Sequence, residues 1–239
     1  MKAFLLAAGI GSRLGSITKD TPKALVKVAG RPILDYIIEN LITAGVDSIV
    51  INLHYLPEQI KSHLADSDFN CKFIFSEEET LLDTGGALKN AAHHFEEDED
   101  FILHNCDIYT DFDISKIVKA HKNSQNMATL SVSHATSDRG ILLDHAFNFA
   151  GLENIKLGTR STIGTTTRLT RYDYNCITVL NSSLFTYFEK LPASFGLFDW
   201  LTLASKSRKL VRGFDIKPCY WIDIGTPEDL DKLNQYLKS

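Results

Sequence analysis

The apolar positions of the first half of the chain switch repeatedly between two periods. "KAFLLAA" at the N-terminus is a short unbroken apolar run, the pattern of a strand buried on both faces, and it breaks into Gly9 and Gly11. "RPILDYIIENLITAG" then sets Ile33, Leu34, Ile37, Ile38, Leu41 and Ile42 on one helical face, with Pro32 suited to the first turn and Gly45 to the C-terminal cap. "SIVINL" predicts the next strand, "PEQIKSHLA" a short helix and "CKFIFSE" a further strand. A helix begins near "DTGGALKNAAHHF", "DFILHNCD" is strand-like again and "ISKIVKAHKNS" is helical. This alternation predicts an α/β protein: right-handed crossovers and a mainly parallel sheet with helices on both faces.

From "MATLSVSH" onward the pattern changes. "GILLDHAFNFAGLEN" predicts strands joined by a turn, and "YNCITVL" one more strand. "SSLFTYFEKL" and "DWLTLAS" are helical, and "KLVRGFDI" and "CYWIDIG" are short strands. The last helix, "TPEDLDKLNQYLK", has Thr226 as N-cap and Pro227 at its first position. No internal repeat or low-complexity linker interrupts the chain, which predicts a single domain over residues 1–239.

Bulk properties exclude several classes. At 239 residues the chain suits one large domain or two small ones, at roughly 100–200 residues each. No stretch nears the ~20 apolar residues of a membrane span, and the N-terminal run lacks a signal peptide's layout. A cytoplasmic protein with no membrane partner is therefore expected. Lys+Arg 25 against Asp+Glu 30 gives a net charge of -5, which argues against nucleic acid as partner. Cys71, Cys106, Cys176 and Cys219 are far apart, without metal-ligand spacing, and read as reduced thiols. "EEDED" reads as a solvated loop, and "DIYTDFD" lacks the turn glycine and terminal glutamate of a calcium loop.

The loop after the first strand carries the chemistry. Gly9, Gly11 and Gly15 miss the dinucleotide fingerprint, which needs its third glycine where Leu14 stands, and no Gly-Lys-Ser/Thr makes a P-loop. That spacing disfavours an NAD(P)-dependent oxidoreductase. A lone glycine loop is as often a plain tight turn. Here Arg13 lies within it and Lys23 follows Pro22, so loop amides, guanidinium and ammonium together form a cradle for a triphosphate. Asp107 and Asp223 each fall at a strand end, and a carboxylate pair suits Mg²⁺ completed by phosphate and water. Either aspartate alone would read as a cap or turn residue.

These segments resemble the sugar-1-phosphate nucleotidyltransferases. "LAAGIGSRLGSITKDTPKALVKVAGRPILDYIIENL", "LLDTGGALKNA", "HNCDIYTD" and "WIDIGTPEDL" match that family's motifs in order across nearly the whole chain. Within the family, chain length, "INLHYLPEQI", the Thr-Gly-Gly motif and the missing C-terminal β-helix resemble the N-acetylmuramate 1-phosphate uridylyltransferases most. Mannose-1-phosphate guanylyltransferase-like proteins are near neighbours. The resemblance implies a Rossmann-like, GT-A-like core over about residues 1–135 that binds nucleotide. About residues 136–239 form a smaller α+β portion for the sugar and the second metal ligand.

The resemblance also implies roles. Gly9, Gly11 and Ser12 wrap the nucleotide phosphates, Arg13 meets the triphosphate tail, and Lys23 bridges the α-phosphate and the incoming sugar phosphate. Gly85, Gly86 and Asn105 lie on the nucleoside side. Gly140, Glu153, Asn154 and Asn175 fall in the sugar-binding half, and Asp107 and Asp223 match the Mg²⁺ ligands. Cys106 stands where the family usually has Gly, Ser12 where Thr is frequent, Cys176 where Gly is common, and Asn154 where a sugar-phosphate lysine is expected. The expected reaction joins a nucleoside triphosphate, UTP or GTP, to a sugar 1-phosphate in a monomer or homodimer. UTP with N-acetylmuramate 1-phosphate, in cell-wall (peptidoglycan) sugar recycling, is the first expectation. A guanylyltransferase and a non-catalytic sugar-nucleotide regulator are the alternatives. His93, His94 and His104 lie near these motifs with surface or core roles.

Overall fold

The computed structural model describes residues 1–164, 168–207 and 210–238. Strand β1 (Lys2–Leu6) leads into two 3-10 turns, Ser12–Thr18 and Lys23–Leu25. A small hairpin, β2 (Lys27–Val28) with β3 (Arg31–Pro32), precedes helix α1 (Ile33–Thr43). Then come β4 (Ser48–Leu53), α2 (Pro57–Ala65), β5 (Lys72–Glu77) and α3 (Asp83–Asn90). β6 (Asp100–Asn105), β7 (Ile108–Thr110) and α4 (Ile114–Lys122) follow. The later strands are β8 (Ala128–His134), β9 (Arg139–Leu143), β10 (Phe149–Asn154), β11 (Thr159–Thr162) and β12 (Thr170–Asn181). α5 (Phe185–Phe188), α6 (Leu197–Lys206), β13 (Val211–Asp215), β14 (Trp221–Asp223) and α7 (Pro227–Tyr236) follow. No described helix is long and apolar enough to cross a membrane.

The chain divides into two compact units. The first takes Met1–Leu82, His104–Ser115 and Cys219–Ser239, and the second Asp83–Leu103 and Lys116–Pro218. β14 and α7 thus belong with the N-terminal strand, although about 200 residues separate them.

In the first unit β1 runs parallel to β4, and β4 parallel to β5. β4 is buried at all six positions, as its unbroken apolar run requires. α1 buries Ile33, Leu34, Ile37, Ile38 and Leu41, each worth about 1.5–3 kcal/mol when fully removed from water, while Ile42 is only half-buried. Pro32 stands one residue before the helix in extended conformation, because it also ends the β2–β3 hairpin. Gly45, at φ 90°, closes the other end: its N–H donates to Ile42 O and that of Val46 to Leu41 O, a Schellman cap. Thr226 caps α7, accepting from the Asp229 N–H as expected.

The second unit is largely antiparallel. β12 pairs with β8 and with β9, β9 with β10, and β10 with β11, whereas β13 joins β8 in parallel. β12 extends well beyond "YNCITVL" because its N-terminal end has β9 as a partner. β11 has no apolar pattern to announce it, since all four of its residues are exposed. The register of β12 against β8 shifts between Tyr174 and Thr178, and Cys176 lies inside this irregularity at φ 60°. A left-handed L-residue costs about 1–2 kcal/mol, and glycine at such a position avoids it. Cys176→Gly is therefore expected to raise the unfolding free energy by about 0.5–1 kcal/mol, after allowing for glycine's looser unfolded chain. A higher urea midpoint at unchanged slope would show it; a lower midpoint would mean that the thiol's packing outweighs the backbone strain.

Candidate active site

Within the first unit, the turn after β1 is shaped around one lysine. Gly11 is left-handed at φ 71°, and a Cβ there would lie 3.1 Å from Thr18 Cγ2 and 3.2 Å from Lys23 Cβ. Thr18 Oγ1 donates to the Gly11 carbonyl at 2.9 Å, closing the turn that holds Ser12 and Arg13, with Gly9 just before it. Pro22, extended at ψ 145°, sends the chain inward, and the Lys23–Leu25 turn locks when Leu25 N–H donates to Pro22 O. Lys23 is consequently only 7% exposed. Its ammonium donates to Asp107 Oδ2 in a short contact and lies 3.6 Å from Asp223 Oδ1. Arg13, itself largely exposed, brings Nη2 to 3.6 Å from Asp223 Oδ2.

The two aspartates reach one place through a short antiparallel pair. β14 lies against β7 with Asp223 opposite Ile108, and the Ile224 N–H donates to the Asp107 carbonyl at 3.0 Å. Asp107 Oδ1 and Asp223 Oδ1 are both buried without a hydrogen-bond partner. Burial and then the Asp107 charge push the Asp223 pKa upward, against the pull of Lys23 and Arg13. Burial alone would lower the Lys23 pKa, but Asp107 and then Asp223 outweigh it and the ammonium is held above its ordinary value. Two carboxylates, each with a buried oxygen that makes no hydrogen bond, are a donor set suited to a hard divalent cation that takes its other ligands from phosphate and water. Among the described residues no group of three or more His, Cys, Asp or Glu side chains is placed to hold a metal unaided. The Cys106 thiol, beside Asp107 in sequence, is buried and has its pKa pushed up by burial and by Asp107, so it is no nucleophile.

Sequence reasoning overlooked Gly225, where a Cβ would come within 2.7 Å of the Arg13 guanidinium. The signal was present in "WIDIGTP", as a glycine two residues after a site aspartate. The other acids of "DIYTDFD" have structural partners. Asp111 accepts from Tyr220 N–H and Tyr236 Oη, and Asp113 accepts from Ser115 N–H and Oγ at the start of α4. Asn105 is the last residue of β6, and its carbonyl faces His104 Nδ1 at 2.7 Å.

The second unit holds the remaining residues. Gly85 and Gly86 lie in the first turn of α3, and both their N–H groups donate to the Phe195 carbonyl, at 2.9 and 3.2 Å. A Cβ on Gly85 would stand 2.2 Å from Phe195 Cε2, so packing within this unit demands glycine there. Gly140 and Glu153 face each other across β9 and β10. The Glu153 carboxylate lies 3.1 Å from Arg160 Nη1 and 3.8 Å from Arg171 Nε, two cations that the sequence motifs did not single out. Asn154 accepts from Leu157 N–H in the turn toward β11. Asn175 is buried, and its Nδ2 donates to Ser133 Oγ at 3.2 Å.

Over residues 2–140 the chain matches the family described as "Nucleotidyl transferase", and it belongs to that family. It is 28% identical over 234 residues to the mannose-1-phosphate guanyltransferase of Gibberella zeae, covering 96% of this chain and 62% of that protein. The chain thus spans less than two thirds of the length of the curated relatives it matches. HddC from Yersinia pseudotuberculosis superposes with TM-score 0.77 at 28% identity over 99% of both chains. Its complex with GMP-PN gives 0.75 at 27% over the same shares. A UDP-glucose pyrophosphorylase from Acinetobacter reaches 0.83 at 18% identity, over 98% of this chain and 92% of that one. The expected α/β nucleotidyltransferase fold is the fold of this protein.

His104, next to the Asp107 turn, is 1% exposed, and burial pushes its pKa down to about 4. The folded state therefore favours the neutral ring. Its stabilising contribution is complete above pH 6.5 and is lost as the pH falls from 6.5 toward 4. Unfolding free energy is expected to drop by up to roughly 3 kcal/mol over that window on this account. Urea unfolding at several pH values checks this, with His104→Gln expected to flatten that part of the profile.

Proposed function

We propose that the protein transfers a nucleoside monophosphate from a nucleoside triphosphate to a sugar 1-phosphate, releasing pyrophosphate. The observation that carries this reading is the buried Lys23 ammonium between Asp107 and Asp223, beside a left-handed glycine turn that also holds Arg13. Membership of the nucleotidyl transferase family supports it. An oxygen of the sugar 1-phosphate attacks the α-phosphorus, the α–β bridging bond breaks, and pyrophosphate leaves. The second pKa of a phosphate monoester is about 6, so the nucleophile is ionised at neutral pH and no general base is needed.

The chain's own residues align and neutralise. Gly9, Gly11 and Ser12 offer the loop backbone to the phosphates, and Arg13 takes the triphosphate tail. Lys23, held protonated by its carboxylate neighbours, serves as a fixed positive charge between two anions rather than as a base. Asp107 and Asp223 would hold Mg²⁺, which when bound neutralises charge on the phosphate oxygens. Gly85, Gly86 and Asn105 serve the nucleoside. Gly140, Glu153, Asn154 and Asn175 serve the sugar, with Arg160 and Arg171 beside the Glu153 carboxylate.

For the substrates, relatives named mannose-1-phosphate guanyltransferase and the HddC complex with GMP-PN favour GTP with a mannose-type sugar 1-phosphate. UTP with N-acetylmuramate 1-phosphate, favoured by the chain's own motifs, is the competing pair. Pyrophosphate release with Mg²⁺, crossing UTP, GTP, CTP, ATP and dTTP against N-acetylmuramate, N-acetylglucosamine, glucose and mannose 1-phosphates, distinguishes them. Lys23→Ala and Asp107→Asn are each expected to lose at least about 10²–10³-fold in rate. Turnover within a few-fold of wild type in either variant would overturn the assignment.

A further inference from the structure

The first unit contains a buried carboxylate that neither the proposed phosphate chemistry nor any described cation uses. Glu78, one residue past β5, is 6% exposed, and no ion pair to it occurs among the described residues. Its Oε1 accepts from Asn52 Nδ2 at 2.7 Å, and its Oε2 accepts from the Leu82 N–H at 3.2 Å. Asn52, 3% exposed near the end of β4, uses its Oδ1 to accept from the Ala7 N–H at 2.7 Å. A continuous relay therefore runs from Ala7 through Asn52 and Glu78 to Leu82. Ala7 opens the glycine loop, and Leu82 ends the segment that leads into Gly85 and Gly86. The Glu78 main chain is pinned as well, its N–H donating to Leu53 O and its carbonyl lying 2.8 Å from His54 Nδ1.

Donor and acceptor parity explains why an acidic side chain and not a second amide stands at this buried position. Both ends of the relay are backbone N–H groups, so each end must present an acceptor. One amide side chain presents an acceptor at one end and a donor at the other. Two amides in series would point a donor at an N–H. Two carboxylates in series would set acceptor against acceptor. One amide and one carboxylate satisfy every link, in either order.

We infer that Asn52 and Glu78 are positioning residues that fix the glycine loop and the 78–82 segment against each other for nucleotide binding, an inference that rests on the nucleotidyl-transfer reading. The inference makes a prediction about polarity. Glu78→Gln and Asn52→Asp each break parity, whereas the double variant N52D/E78Q restores it with the acid moved to position 52. In steady-state assays each single variant is expected to raise the nucleotide KM about 10-fold or more while the sugar 1-phosphate KM stays within about twofold. The double variant is expected to return to within about threefold of wild type. Amide hydrogen exchange provides a second readout independent of turnover: Ala7 and Leu82 should be protected in wild type and double variant, and fast in both singles. Single variants that behave as wild type, or a double variant whose losses add, overturn the inference. So does an equal effect on both substrates. If wild type binds nucleoside triphosphate but no sugar 1-phosphate supports turnover, the reaction assignment fails. Titration of nucleotide onto the four proteins then decides the positioning role by the same pattern of loss and rescue.

Discussion

The ammonium of Lys23 is the charge around which the first unit's loops are arranged. Asp107 and Asp223 are drawn to one place by short strands, with one oxygen of each buried and without a hydrogen bond. Two such carboxylates repel each other in a partly desolvated setting, and Lys23 offsets that repulsion. The surrounding backbone is consistent with this task. Gly11 leaves room at the lysine stem, Pro22 directs the chain inward, and Gly225 leaves room for Arg13. Two carboxylates and two cations are thereby held together at the end of the glycine turn.

Much of this was legible because the first unit obeys strong local rules. β4 and α2 fall where "SIVINL" and "PEQIKSHLA" place them, since full burial and a proline at the first helical position leave little choice. Lys23 and the two aspartates could be singled out because each stands at a recognisable punctuation of the chain: a proline, a strand end, and the start of the terminal helix. What local pattern could not show was the partner. The β7–β14 pair is built from three-residue strands, too short for a periodicity, and it exists through a tertiary pairing. Gly225 likewise has meaning only once Arg13 is known to lie against it.

The second unit was less legible for a related reason. β11 is exposed at every position and is defined only by its pairing with β10. Arg160 gains its place opposite Glu153 through that pairing, so no motif could have announced it. Gly85 carries a similar lesson. Its motif suggests close approach of a ligand, while the structure shows that the ring and carbonyl of Phe195 already require it. A glycine can satisfy a packing need and a binding need at once, and the sequence alone does not separate them.

The interleaving of the units has a consequence for the order in which the protein can be made. Ile108 meets Asp223 only after more than a hundred further residues have been synthesised, including all of β8 to β13. Until β14 emerges, the second carboxylate is missing and Asp223 cannot join Asp107 and Lys23. The assembled pair thus reports that the second unit's strands have already been made, and it is completed late, through a pairing of large sequence separation.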